Sequence, residues 1–452
     1  MRFHNLSRHA DIGSNSYMLE LGDTRIILDA GTHPKHTGKT TLPDYESLAP
    51  HSIDGIIISH PHLDHIGGLP VIAARQPDAA VVMTEPTKAS GVALLHNSVN
   101  VMKSQREELN ERDYPLYSHK DIDRIEDKWM TLPFEQPFSI GHEDRVECTF
   151  FRAGHVYGAA GVRIKAGGKT IFYTGDVHFE DQTLTKAANF PTDPVDVLIM
   201  ETTRGDHPRD PGYTRAMEKR RLGDTITATL ARGGSIMIPV FAFGKTQELL
   251  LMLHELREEG VIPSVPVHIG GLSTRMTEIA DDFADEPDRN HRGYYLLDDF
   301  PELNILPRGH RDPPFHTGRI YALSSGMMSE NTVSHRFARR VLGSPEHALL
   351  FVGYADPDSP AGRILTAGTG GKVRLVEKIQ HDTEIKCQVE RFDFSGHATR
   401  DQLVDYAVSV SPKQIFLVHG DPSAKAWFVE ELGKRLPQTK VTICPPGGDC
   451  EF

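Results

Sequence analysis

Gly55-Ile56-Ile57-Ile58-Ser59-His60-Pro61-His62-Leu63-Asp64-His65-Ile66-Gly67-Gly68 is the stretch whose reading decides the rest of the chain. A short apolar run, as a buried strand requires, empties into a loop carrying three imidazoles and one carboxylate within six residues. A catalytic zinc normally takes three protein ligands and keeps one position open for water, so four donors this close exceed what one tetrahedral ion can use. The natural division is by pairs, with His60 and His62 serving one ion and Asp64 and His65 a second. Each pair is short of ligands, and the remainder must come from distant parts of the chain.

A chain of 452 residues is too long for one ordinary core, so two domains are expected. Its apolar fraction of 38% and charged fraction of 25% are those of a globular protein in water. Met1-Arg2-Phe3-His4-Asn5 is not signal-peptide text and no apolar run has membrane length, which predicts a cytoplasmic protein with no membrane partner. Cys148, Cys387, Cys444 and Cys450 follow neither a zinc-finger nor a disulfide-framework spacing. The composition is unusual in its 24 histidines, which suits metal chemistry. His96, His119, His254 and His347 nevertheless fall on expected solvent faces and need no function there. A net charge of −13 argues against broad affinity for nucleic acid, while leaving room for a local basic groove.

The first part of the chain alternates β-rich runs, such as Arg25-Ile26-Ile27-Leu28, with Gly- and His-rich loops. Helical spacing is predicted between about 85 and 128, with Val92, Leu95, Val99 and Met102 on one apolar face. Strands return at 146–151, 162–164, 170–173 and 195–200. From Arg215 onward helix and strand alternate as far as Val373, which predicts a parallel α/β insert. The tail goes back to strands that end in His-bearing loops, Phe394-Ser395-Gly396-His397 and Val418-His419-Gly420-Asp421.

A strand end bearing one acid or imidazole recurs at Asp29, His155, Asp176, Glu201 and His419. In this order, together with His60-x-His62-x-Asp64-His65, the set resembles the metallo-β-lactamase fold superfamily. Glu201-Thr202-Thr203, Ile238-Pro239-Val240-Phe241-Ala242-Phe243-Gly244-Lys245-Thr246, Ser324-Ser325-Gly326-Met327-Met328 and Phe351-Val352-Gly353-Tyr354 are similar to its β-CASP branch, as are the two His-bearing loops of the tail. That branch holds RNA-processing and RNA-degrading nucleases. The resemblance implies an α/β chain: an αβ/βα four-layer metallo-β-lactamase sandwich, built from residues 1–205 and 389–452, with a β-CASP domain inserted at 206–388 and the active site in the cleft between them.

Carried over by position, the resemblance implies that His60, His62 and His155 hold one Zn²⁺, that Asp64, His65 and His419 hold a second, and that Asp176 bridges both. Mn²⁺ is the alternative ion, less suited to imidazole-rich ligands. Asp29 would orient a ligand without touching metal. The implied catalytic set is Asp64, His397 and Glu201, with His397 as general acid and Glu201 as its partner carboxylate. The implied reaction is cleavage of single-stranded RNA by metal-bound hydroxide, with pairing of two copies a further expectation from the branch. Lys245 at a helix start, Ser325 in a Gly turn and Arg363 are the candidates for phosphate contacts. Asp356 and Asp358 would repel a polyphosphate chain, and with the net charge they keep open a dinuclear-zinc hydrolase of a carboxylic ester, lactone or small phosphodiester. The resemblance also leaves open a non-catalytic scaffold subunit, because the branch includes members that have lost ligands.

Overall fold

In the computed structural model, residues 1–141, 146–306, 313–376 and 382–452 are described. They form two compact units. The first comprises Met1–Asp181, Thr185–Arg209 and His397–Phe452, and the second comprises Gln182–Leu184 and Asp210–Gly396.

The first unit is two seven-stranded sheets, face to face, with helices outside. One sheet runs in the order Asp449–Glu451, Arg2–Asn5, Tyr17–Leu21, Thr24–Leu28, Gly55–Ile57, Ala80–Met83, Met130–Thr131. The other runs Lys440–Thr442, Gln414–Val418, Val197–Glu201, Lys169–Tyr173, Ala160–Ala166, Val146–Arg152, Pro137–Ile140. The period of two sorts the side chains. Ile26 and Leu28 point into the core between the sheets, with Phe3, Leu19, Val162, Ile171 and Phe416. Ile27, Ile56 and Ile58 point outward under Ile66, Leu69, Leu95, Val99 and Met102 from the helices. The second sheet is covered outside in the same way, where Phe172 meets Phe190 and Tyr406.

The expected helical stretch is two helices, Glu85–Glu108 and His119–Glu126. Two features of the sequence break it. Asn110 takes a left-handed φ of 54°, which short polar side chains tolerate, and Pro115 follows Tyr114 in a connection that no helix can cross. Ser118 restarts the chain with a capping box to Asp121. No helix among the described residues is long and apolar enough to cross a membrane.

The second unit carries a parallel six-stranded sheet in the order Leu303–Ile305, Val267–Ile269, Ile320–Leu323, Ile236–Pro239, Ala348–Phe351, Gln388–Arg391. Helices cover both faces, as parallel strands need. Lys245–Glu258 buries Leu249, Leu250, Leu253 and Leu256 on one face of the sheet, and Val333–Leu342 buries Phe337 and Val341 on the other.

In the first unit, Phe416 is fully buried and stacks on Phe3 of the opposite sheet with ring centroids 4.4 Å apart. Removing that ring leaves a cavity between rigid sheets. Phe416→Ala is expected to lower unfolding stability by about 3–5 kcal/mol in urea titration, with the denaturant slope unchanged.

Candidate metal centre

The donors lie in segments that follow strand ends, and backbone pairing determines which of these segments meet. Leu28 pairs with Ile57, so Asp29 and the Ser59-His60 loop emerge together from neighbouring strands. Glu201 pairs with Val418, which brings His419 out beside Thr202 and Thr203. The carbonyl of Ser59 accepts the Ala160 amide at 2.9 Å and ties the end of one sheet to the other. His62 caps the single turn Leu63–Ile66, which turns Asp64 and His65 back toward the strands. Gly31 is required here, because a Cβ at that position would lie 1.7 Å from the Asp64 carbonyl oxygen.

Two donor groups result. His60 Nε2 and His155 Nε2 lie 3.1 and 3.2 Å from His62 Nδ1. Donors of one tetrahedral ion, each about 2.0–2.1 Å from it, stand about 3.3–3.4 Å apart, so this spacing suits a single transition metal. In the second group Asp64 Oδ2 is 3.3 Å from His419 Nε2 and 3.6 Å from His65 Nε2. Asp176 Oδ2 belongs to both groups, at 3.6 Å from His60 Nε2, 3.7 Å from His155 Nε2 and 3.4 Å from His65 Nε2. Asp176 is 3% exposed, yet its Oδ1 has no hydrogen-bond partner and faces His419 Nδ1 at 3.2 Å. A buried carboxylate oxygen left in this state, among imidazole nitrogens aimed at common points, is what a metal-binding site looks like before the cation is added.

The electrostatics agree. Burial, with His65 close by, pushes His60 well below the usual imidazole range, and burial takes His62 down to about 4, so both offer lone pairs. Burial also works against a charge on His65, but Asp176, Asp64 and Asp29 outweigh it and hold this imidazole well above its usual range. For Asp176 burial opposes the charge, and His419, His65 and His60 overcome it and keep the carboxyl ionised.

Asp29 is fully buried at a left-handed φ of 59° and does not reach the donor cluster. Its Oδ1 accepts the Ser59 amide at 2.7 Å, and its Oδ2 accepts from Ser59 Oγ at 2.8 Å and from Tyr173 OH at 2.5 Å. Oδ2 also holds His65 Nδ1 at 2.7 Å, which leaves Nε2 to face the cluster. Beside the site, His397 Nδ1 lies 3.1 and 3.2 Å from the two oxygens of the fully buried Glu201, whose Oε1 also accepts the Val177 amide at 2.7 Å. Burial disfavours charge on His397, but Glu201, then Asp176 and Asp64, raise it above its usual range.

Several participants escape a reading of the sequence. Asn15 donates from Nδ2 to the Asp64 carbonyl at 3.1 Å, lies 3.2 Å from His65 Nε2, and is itself held by Tyr17 OH at 3.0 Å. Thr203 Oγ1 bonds His419 Nδ1 at 2.8 Å. Asn15 and Tyr17 lie in text with no motif, whereas Tyr173 and Thr203 adjoin residues already singled out.

The three candidate phosphate contacts all lie in the second unit. Lys245 opens the helix Lys245–Glu258, its Nζ donates to the Phe394 carbonyl, and burial lowers it to about 8. The Ser325 carbonyl accepts from Ser334 Oγ at 2.7 Å. Arg363 donates from Nη1 to the Asp358 carbonyl at 2.9 Å. Asp356 closes its own turn, with Oδ1 accepting the Asp358 amide at 2.9 Å.

Residues 10–222 match the family model of the metallo-beta-lactamase superfamily, residues 246–364 that of the Beta-Casp domain, and residues 382–443 that of the Zn-dependent metallo-hydrolase RNA specificity domain. Among curated proteins, endoribonuclease YSH1 of Candida glabrata is 28% identical over 93% of this chain and 55% of its own length. Transcription termination factor FttA of Methanothermobacter thermautotrophicus is 29% identical over 91% of this chain and 65% of its own length. Cleavage and polyadenylation specificity factor subunit 3-I of Arabidopsis thaliana is 26% identical over 99% and 62%. The chain thus spans between about half and two thirds of these relatives. A crystal structure of a protein of unknown function from Enterococcus faecalis V583 shares the fold, with a TM-score of 0.59 at 15% identity over 100% of this chain and 99% of that one.

Because Asp29 fixes the His65 tautomer from behind, Asp29→Asn presents an amide to groups that now donate to it. Metal affinity is expected to fall by about 10–100-fold, read by competition with a chromogenic chelator.

Proposed function

We propose that this chain, which belongs to the β-CASP branch of the metallo-β-lactamase superfamily, is a zinc-dependent phosphodiesterase that cleaves single-stranded RNA. The observation that carries the reading is the position of Asp176 Oδ2, shared between two donor groups and within 4.0 Å of His397. In this reading His60, His62 and His155 hold one Zn²⁺, Asp64, His65 and His419 a second, and Asp176 both. When bound, such a pair of ions supplies a nucleophile from water near neutral pH and neutralises charge on the phosphate.

The chain's own residues provide the rest. Glu201 holds Nδ1–H of His397, so Nε2 is the atom left to hand a proton to the leaving oxygen. The carboxylate beside it keeps that imidazole charged, as an acid near neutral pH must be. Asp64 belongs to the catalytic set through the second metal. Asn15 and Thr203 hold the loop carbonyl of Asp64 and the ring of His419 in register, and so preserve the donor spacing. The name of one curated relative, an endoribonuclease, and the match to an RNA specificity domain support RNA as the substrate class.

The experiment is cleavage of an end-labelled single-stranded RNA by wild type and by His397→Ala, with zinc content measured in both. Wild type is expected to cut, a chelator to abolish cutting and zinc to restore it. His397→Ala should lose about 10²–10⁴-fold in rate at unchanged zinc content. Zinc-loaded wild type that leaves RNA intact while hydrolysing a lactone or bis(p-nitrophenyl) phosphate would transfer the site to the ester reading, which the acidic net charge favours.

A further inference from the structure

The helices Glu85–Glu108 and His119–Glu126 carry a second histidine arrangement, made of residues that the proposed reaction does not use. His96 Nδ1 and His119 Nδ1 face each other at 2.9 Å, with ring planes 13° apart. The far nitrogen of each ring is engaged by an acceptor. His96 Nε2 faces Asp123 Oδ1 at 3.3 Å, and His119 Nε2 faces Asn100 Oδ1 at 3.2 Å.

In the tautomer where each Nε2 donates to these oxygens, each Nδ1 presents a lone pair. In that tautomer two lone pairs 2.9 Å apart repel unless a positive charge is shared between them. Two imidazole nitrogens about 2.0–2.1 Å from one ion, and at right angles around it, stand about 2.9 Å apart. Acceptors on the opposite ring nitrogens are the usual support behind ligating imidazoles. His96 is 30% exposed on its side chain, so water has access to complete a coordination sphere. Lys103 acts against a cation at His119, and Asp123 acts for one.

We infer that His96 and His119 form a bidentate site for an imidazole-preferring divalent transition metal, oriented by Asp123 and Asn100 and clamping the two helices together. This site is independent of the centre at Asp176 and of any reading of its activity. Sequence spacing places His96 and His119 on solvent faces and cannot show that the two faces meet.

The test is Ni²⁺ binding to zinc-loaded protein by equilibrium dialysis and calorimetry, comparing wild type with His96→Gln and His119→Gln. Wild type is expected to take up one more equivalent of Ni²⁺ than either variant, and its melting temperature to rise with Ni²⁺ while theirs does not. Asp123 is 59% exposed, so Asp123→Asn leaves the fold alone, keeps both ligands and should weaken Ni²⁺ by about 10–100-fold. Equal Ni²⁺ uptake by wild type and both glutamine variants overturns the inference, and a proton shared between the rings then accounts for their approach. Because the result is a difference between variants, it stands apart from the number of ions held at Asp176.

Discussion

A carboxylate buried to 3% exposure needs hydrogen bonds or positive charge around it, and Asp176, whose Oδ1 has no hydrogen-bond partner, depends on charge. Its Oδ2 lies within 3.7 Å of His60, His65 and His155, and its Oδ1 within 3.2 Å of His419. Those imidazoles come from both sheets, so the carboxylate acts only if the two sheets end level with each other. The core between the sheets and the Ser59 to Ala160 hydrogen bond secure that level. Folding therefore assembles a buried cluster of imidazoles and carboxylates suited to binding a metal. On the proposed reading, the bound ions also draw in an anionic substrate that a chain of net charge −13 would otherwise repel.

Much of this was legible in the text because strand ends are local features. An apolar run followed by His60 or by His419 reads directly as a strand delivering a donor, and the structure places both near Asp176, with Asp29 behind His65. What links them is not local. Asp29 binds His65 across 36 residues of sequence and Tyr173 across 144, and only the sheet pairing creates those contacts. Asn15 gave no signal, since an asparagine between two serines is ordinary loop text until Tyr17 and Asp64 are placed beside it. The stretch from 85 to 128 read as one helical region on the spacing of Val92, Leu95, Val99 and Met102, all of which lie in the first helix. The left-handed Asn110 and Pro115 decide otherwise.

His96 and His119 show the same limit from the other side. Each looks dispensable on its own helix, and only the packing of Glu85–Glu108 against His119–Glu126 brings the two Nδ1 atoms within 2.9 Å. Periodicity tells which face of a helix is wet. It says nothing about which wet faces are adjacent.

The central claim is that two ions share Asp176, and anomalous scattering from crystals at the zinc absorption edge tests it most directly. The account predicts two peaks about 3.5–4 Å apart, one among His60, His62 and His155 and one among Asp64, His65 and His419, with Asp176 Oδ2 between them. A single peak, or zinc bound only away from Asp176, would contradict it.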